Sequence, residues 1–288
     1  MEYKKIVKLV TEILQDYKEA TVRQLYYRII SDPYCYFDNT KNNYVSFVRY
    51  LTKAREQGDI DWRKIIDSTR TIIWENNFYN GVNDFLQRME YSIHNQYCYY
   101  NIDLWKNQIY FPIVCVEKDA LARIISEAVE EYQVPVIPGR GFNSFSQIME
   151  LLDLISTRNN KYIKILYFGD FDPSGIEISN SLKTRIESYS TNINKQIEFI
   201  RCALNVNDTV NLTPNKIKKG DRRSKKYIEK YNTEDCFELD ALPPDELRKR
   251  VIDEVEKLIN MNIWNRDNHN RLNAQNYIKE KLSNIKIA

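Results

Sequence analysis

The sequence of 288 residues predicts a mixed protein, α/β plus α+β, with a small helical unit first and a larger unit on a mostly parallel, Rossmann-like sheet second. Two observations carry this. From residue 109 onward, short apolar runs of the buried-strand kind alternate with segments of helix length, as βαβ units require. Ahead of them, three segments space their apolar residues for one helical face each. With 43% apolar and 28% charged residues, the chain can bury a sizeable core and lacks the balance of a disordered one.

The elements follow in order. Ile6, Val7, Leu9, Val10, Ile13 and Leu14 give one face to a helix over 4–17. Thr21 stands where it can cap a second helix, Val22–Ile30, closed by a turn at Ser31-Asp32-Pro33. A third runs from about Tyr44 to Gln57, with Gly58 as its stop. Three short helices and then an extended, β-branched Ile60–Ile73 suggest a winged helix. Arg49, Lys53, Arg55, Arg63, Lys64 and Arg70 lie along its third helix and wing. Such domains lay the third helix in a DNA groove, so Arg49 and Lys53 are candidate DNA contacts, although the same charges would also suit an ordinary solvated face. The expected boundaries are 1–75 for this domain, 76–108 for a connector with a helix at Gly81–Ile93, and 109–288 for the sheet domain.

In the sheet domain the pattern predicts strands at Ile113–Val116, Val134–Ile137, Ile163–Phe168 and Ile197–Ala203. Helices are expected at Ala120–Glu131, Phe145–Ile155 and Ile176–Tyr189. Phe237–Leu242 reads as a last strand, Pro243-Pro244 opens a helix to about Asn260, and a polar helix covers 270–284.

Bulk charge excludes little: the formal net charge is +2, so a nucleic-acid surface has to come from patterning. Residues 214–230 supply such a pattern, with eight Lys or Arg against Asp221 and Glu229. Lys218, Lys219, Arg222 and Arg223 are candidate phosphate contacts there. No apolar run approaches the roughly 18 residues of a membrane span, and the start does not read as a secretion signal. Five widely spaced cysteines argue against a disulfide framework and against CxxC zinc sites. A cytoplasmic, nucleoid-associated protein with reduced thiols is expected. No Walker-type loop is present.

The strongest local signal is Gly169-Asp170-Phe171-Asp172-Pro173-Ser174-Gly175, directly after an apolar strand. Two aspartates at i and i+2 at a strand's carboxyl end can share one hard cation, and magnesium suits one or two carboxylates plus waters and phosphate. The plain alternative has Asp172 capping the next helix and Asp170 pairing with a lysine. Glu117, at the end of the first sheet strand, would approach the aspartates; it also suits a helix N-terminus. Gly139-Arg140-Gly141 follows the second strand, making Arg140 a further candidate contact.

A strand-end Glu followed by a later strand ending in Asp-x-Asp resembles the TOPRIM domain of topoisomerases, primases and related nucleases. Thr21-Val22-Arg23-Gln24-Leu25-Tyr26-Tyr27 resembles the Arg-x-x-x-Tyr of the winged helix in type IIB DNA topoisomerase A subunits and in the related meiotic double-strand-break protein. Glu-Lys-Asp-Ala and Asp-x-Asp-Pro-x-Gly resemble this branch as well, and so does the domain order. The resemblance implies a winged helix followed by TOPRIM. It also implies Mg2+ (or Mn2+) on Glu117, Asp170 and Asp172, and Tyr27 as nucleophile forming a 5′-phosphotyrosine link to DNA. Arg23 would assist, one helical turn from Tyr27; Tyr26 is the adjacent candidate, pointing about 100° away. Glu117 could ligate metal or move a proton to the leaving 3′ oxygen.

The resemblance further implies a homodimer on double-stranded DNA, with the tyrosine of one protomer facing the metal site of the other. No evident segment docks a B-type ATPase partner, which suggests a stand-alone A-like protein of the sort found on mobile elements. Glu238 and Asp240 could add ligands or form salt bridges. Three readings remain open: tyrosine transesterification, a hydrolytic nuclease on the same metal site, and a non-catalytic DNA-binding dimer. His94 and His269 lie outside both motifs.

Overall fold

The computed structural model describes residues 2–17, 19–66, 78–139, 144–218 and 220–285. Its architecture is mixed α/β, with two apolar cores. The first unit packs α1 (Glu2–Asp16), α2 (Val22–Ile30) and α3 (Lys41–Glu56) around Ile6, Val10, Leu25, Phe47 and Leu51. Thr21 caps α2 as expected: its hydroxyl accepts from the Gln24 amide at 3.1 Å, and the Gln24 side chain accepts from the Thr21 amide at 2.9 Å. This reciprocal box satisfies two donors that a helix start leaves open. Gly58, with φ of +77°, lies just beyond the end of α3.

The extended stretch expected over Ile60–Ile73 is shorter among the described residues. Asp61 accepts from the Arg63 amide and turns Trp62–Lys64 into a 3-10 helix, leaving β2 (Ile65–Ile66) paired parallel to β1 (Ala20–Thr21). The rest of that stretch, with Arg70, lies outside the described residues. The connector carries α4 (Val82–Asn95), which packs against the last helix.

The second unit is a four-stranded parallel sheet of order β4-β3-β5-β6. Its strands are β3 (Tyr110–Val116), β4 (Val136–Pro138), β5 (Tyr162–Phe168) and β6 (Gln196–Ala203). Ile113, Val114, Ile163 and Ile165 are fully buried in it, as a sheet covered on both faces requires. The chain steps from β3 to one edge and then back across to β5 and β6. Right-handed connections then put α5 (Asp119–Val129) on one face and α6 (Phe145–Thr157) with α7 (Pro173–Tyr189) on the other. The direction changes between β3 and β5, so their carboxyl ends flank the crevice where such sheets hold ligands.

The C-terminal part departs from expectation. Phe237–Leu242 is not a strand: β8 (Asp235–Cys236) pairs with β7 (Asn215–Lys216), Phe237 makes one bridge to Phe171, and Leu239–Ala241 is a 3-10 helix. The Leu239 amide donates to the Asp170 carboxylate at 2.7 Å, a side-chain partner in place of a ladder partner. Part of the basic run is helical, as α8 (Ser224–Tyr231). After α9 (Pro244–Glu256), helix α10 (Met261–Leu282) begins before residue 270 because Asn260 caps it, accepting from the amides of Asn262 and Ile263. None of the helices among the described residues is long and apolar enough to cross a membrane.

Candidate functional site

Register builds the floor of the crevice. β3 pairs with β5 from Tyr110↔Tyr162 to Val116↔Phe168, and the Glu117 amide extends the ladder to the Phe168 carbonyl at 2.8 Å. Glu117 therefore comes to lie against Gly169-Asp170. One of its carboxylate oxygens, Oε2, accepts from the Asp170 amide at 3.0 Å and from the Tyr167 hydroxyl at 3.1 Å. That oxygen fills the space where a side chain on Gly169 would begin: a Cβ there would overlap Glu117 Oε2 and lie 2.6 Å from the Tyr167 ring. A Cβ on Gly139 would overlap the Glu117 backbone in the same way.

Asp172 caps α7, its carboxylate accepting from the Gly175 amide at 2.6 Å, with Pro173 in the first turn. Arg201 holds this loop from below. Its guanidinium donates to the carbonyls of Leu204, Gly169, Gly175 and Asp170. A register shift in β6 next to Arg201 interrupts the even ladder at this point.

A second group of charges sits beside the first. Lys118 Nζ lies 3.1 Å from Asp170 Oδ1, 2.9 Å from Glu238 Oε2 and 2.6 Å from Asp240 Oδ2. Glu238 also pairs with Arg23, and the Thr21 hydroxyl donates to Asp240 Oδ1 at 3.3 Å. Asp240 is only 3% exposed and Asp170 8%, so these are buried charges that need partners. The plain alternatives foreseen for Asp170, Asp172, Glu238 and Asp240 are thus all present as contacts.

Tyr27 is 2% exposed, and its hydroxyl accepts from Asn215 Nδ2 at 2.7 Å. Burial, then the Glu238 charge, pushes its phenol well above the ordinary tyrosine value, against the Asn215 hydrogen bond and Arg23. The Arg23 guanidinium pairs with Glu238 and lies over the Tyr44 ring, 4.9 Å from its centroid. Tyr26 is equally buried, donating to the Thr40 carbonyl at 3.1 Å. Burial also raises Glu117 and brings Asp170 to about 7, while Lys118 acts to lower both; each carboxyl further raises or is raised by its acidic neighbours.

Two adjoining clefts open onto these groups. One, of about 540 Å³, is lined by six carboxyl side chains (Glu117, Asp119, Asp170, Asp172, Glu238, Asp240) against Arg23, Lys118 and Lys218. The other, of about 400 Å³, reverses the balance, with Arg23, Lys41, Lys216, Lys218 and Arg223 against Asp172, Asp221 and Glu238. Tyr27 lines the second; Asp172, Arg23, Tyr44, Lys218 and Glu238 line both. Tyr27 therefore shares the basic cleft with Asp172 and Glu238 of its own chain, while Glu117 and Asp170 line the acidic cleft.

The acids fit a hard divalent cation in kind. They offer carboxylate oxygens, and Glu117 and Asp170 repel one another where they stand. Among the described residues, no three His, Cys, Asp or Glu side chains are gathered closely enough to form a metal-binding group. Lys118 supplies the local positive charge.

Residues 106–219 match the family model described as "Protein of unknown function C-terminus (DUF2399)". No curated protein and no solved structure matches the chain. The matched span includes Glu117, Lys118, Asp170, Asp172 and Asn215, and leaves out Arg23, Tyr27, Glu238 and Asp240.

Of the expected nucleic-acid contacts, Lys218 and Arg223 line the basic cleft, and Arg222 is exposed beside them. Arg49 and Lys53 do not line it. They lie farther along α3, over the rings of Tyr50 and Tyr3, because α3 presents its first turn, with Lys41 and Tyr44, to the cleft. Arg140 and Lys219 fall outside the described residues. Sequence reasoning named Lys118 only within Glu-Lys-Asp-Ala and gave it no role, and it missed Arg201 and Asn215. Nothing in their local pattern marks them, since their partners are far along the chain.

Gly169→Ala is expected to destabilise the protein by about 1–3 kcal/mol, the usual cost of overpacking. In a Glu117→Ala background, urea unfolding should show part of that loss recovered. Simple additivity would mean that the glycine does not make room for the carboxylate.

Proposed function

We propose that this chain is a divalent-cation-dependent enzyme that cleaves DNA phosphodiesters, with a TOPRIM-like sheet domain and a winged-helix-like N-terminal unit. The observation that carries the reading is the pair of adjoining clefts of opposite charge. The basic one suits a phosphate backbone, and the acidic one suits a cation at the scissile group. Glu117, Asp170 and Asp172 are the residues that would hold Mg2+ or Mn2+. A bound cation would supply Lewis-acid charge to the phosphate oxygens.

The chain's own groups divide the remaining work. Lys218, Arg223 and Lys41 hold the flanking phosphates, and α7 points its N-terminus, at Ser174, into the same cleft. Water is the nucleophile this geometry favours. The Tyr27 phenol is buried, raised, and served by an arginine already paired with Glu238.

A second reading, in which Tyr27 attacks and stays linked to the 5′ phosphate, draws on its place beside Asp172 and Arg23 in the basic cleft. A double-strand break by either route needs two such sites, and a homodimer would provide them.

Supercoiled plasmid with Mg2+ or Mn2+, quenched with detergent and run with and without protease, separates these readings. The expected products are protein-free breaks, lowered about 100-fold or more by Asp170→Asn, the scale of one essential group, and retained by Tyr27→Phe. Protein-linked ends that vanish in Tyr27→Phe would favour the second reading, and no cleavage by wild type would contradict both.

Exchanging Lys218 and Arg223 for Gln is expected to flatten the salt dependence of DNA binding by about 0.9 in log–log slope per lost contact. An unchanged slope would take the basic cleft out of the interface.

A further inference from the structure

Lys118 is placed unlike any other cation in the site. An ammonium has three N–H donors, and here three carboxylates stand within 3.1 Å of it: Asp170, Glu238 and Asp240. Each acid is tied elsewhere as well. The Leu239 amide donates to Asp170 Oδ1, the same oxygen that Lys118 approaches. Arg23 takes the second oxygen of Glu238, and Thr21 takes the second oxygen of Asp240. Among the described residues, Glu117 and Asp172 form no ion pair with Lys118. Glu117 is held by the Asp170 amide and Tyr167, and Asp172 by the Gly175 amide. Of the carboxyl groups in the acidic cleft, Asp170, Glu238 and Asp240 are therefore paired with an internal cation, while Glu117 and Asp172 take hydrogen bonds from neutral donors. Asp170 stands between them, with Oδ1 on the lysine side and Oδ2 unused by those two contacts.

We infer that Lys118 is a positioning residue that decides which carboxylates can serve a metal. It fills the positions that Glu238, Asp240 and Asp170 Oδ1 would otherwise offer, and so confines a divalent cation to Glu117, Asp172 and the outer oxygen of Asp170. This rests on the metal reading proposed above. The physical basis is charge as well as space. A fixed ammonium repels a second cation placed on its own carboxylates, strongly so in a half-buried site. It also cancels charge that would otherwise draw metal into a deep, unproductive position. Lys118 is thus expected to weaken total metal affinity while setting where the metal sits.

Calorimetric titration of the full chain with Mn2+ tests this without reference to cleavage. Lys118→Gln is expected to bind Mn2+ on the order of tenfold more tightly than wild type, as loss of one nearby repelling charge implies. Lys118→Arg, which keeps the charge, should stay close to wild type. Loss of Lys118 leaves buried carboxylates unpaired and could impair folding. The same exchange is therefore also made in an Asp240→Asn background and compared with Asp240→Asn alone. Affinity equal to or weaker than the matched control, in a folded Lys118→Gln protein of either background, overturns the inference and leaves the metal reading standing. Absence of Mn2+ binding by wild type and every variant overturns the metal reading, and the inference with it.

Discussion

The parallel pairing of β3 with β5 sets Val116 beside Phe168, and the site depends on what each strand does next. A glutamate follows β3 and a glycine follows β5. Because Gly169 has no side chain, the Glu117 carboxylate can occupy that space and take the Asp170 amide. The chain then turns into α7, whose cap is Asp172. One register and one missing Cβ thus bring Glu117 into one crevice with Asp170 and Asp172, more than fifty residues further along the chain. Connections leave β3 and β5 toward opposite faces of the sheet, which keeps that crevice open.

Such crowding is costly unless it is compensated. Compensation here comes from Lys118 within the sheet unit and from Arg23 and Thr21, which the N-terminal unit brings across. The two apolar cores are distinct clusters that touch where Ile66 packs into the second and Ala241 against the first, and polar contacts also join the units: Arg23 with Glu238, Ser31 with Thr213, and Asn39 with Asn215. Tyr27 is drawn into the same network through Asn215. The burial that follows stabilises the joint and makes the phenol a poorer nucleophile, which is why hydrolysis is the reading we favour.

Strong local signals in the sequence account for much of the fold. The α2 helix was legible to the residue because Thr21 and Gln24 form a box within four positions. β5 and the start of α7 were legible from an apolar run meeting Asp-Pro. Elements set by distant partners were not. Phe237–Leu242 has strand-like alternation, yet the Leu239 amide is claimed by Asp170, a residue from another part of the chain. The start of α10 was hidden by its polar composition, although Asn260 is a capping residue of the usual kind. At the site, Glu117, Asp170 and Asp172 could be found because they lie at strand ends. Asn215, Arg201 and the role of Lys118 depend on tertiary contacts that no spacing rule reports. Arg49 and Lys53 lie away from the cleft, since a basic stripe on a helix says nothing about which end of that helix meets it.

We propose that the crevice between β3 and β5 receives a divalent cation. Anomalous diffraction from crystals soaked in Mn2+ addresses it most directly. One peak is expected within ligating distance of carboxylate oxygens of Glu117, Asp170 and Asp172, with Lys118 still on Glu238 and Asp240. A well-ordered crevice that holds no anomalous peak at saturating Mn2+ would contradict it.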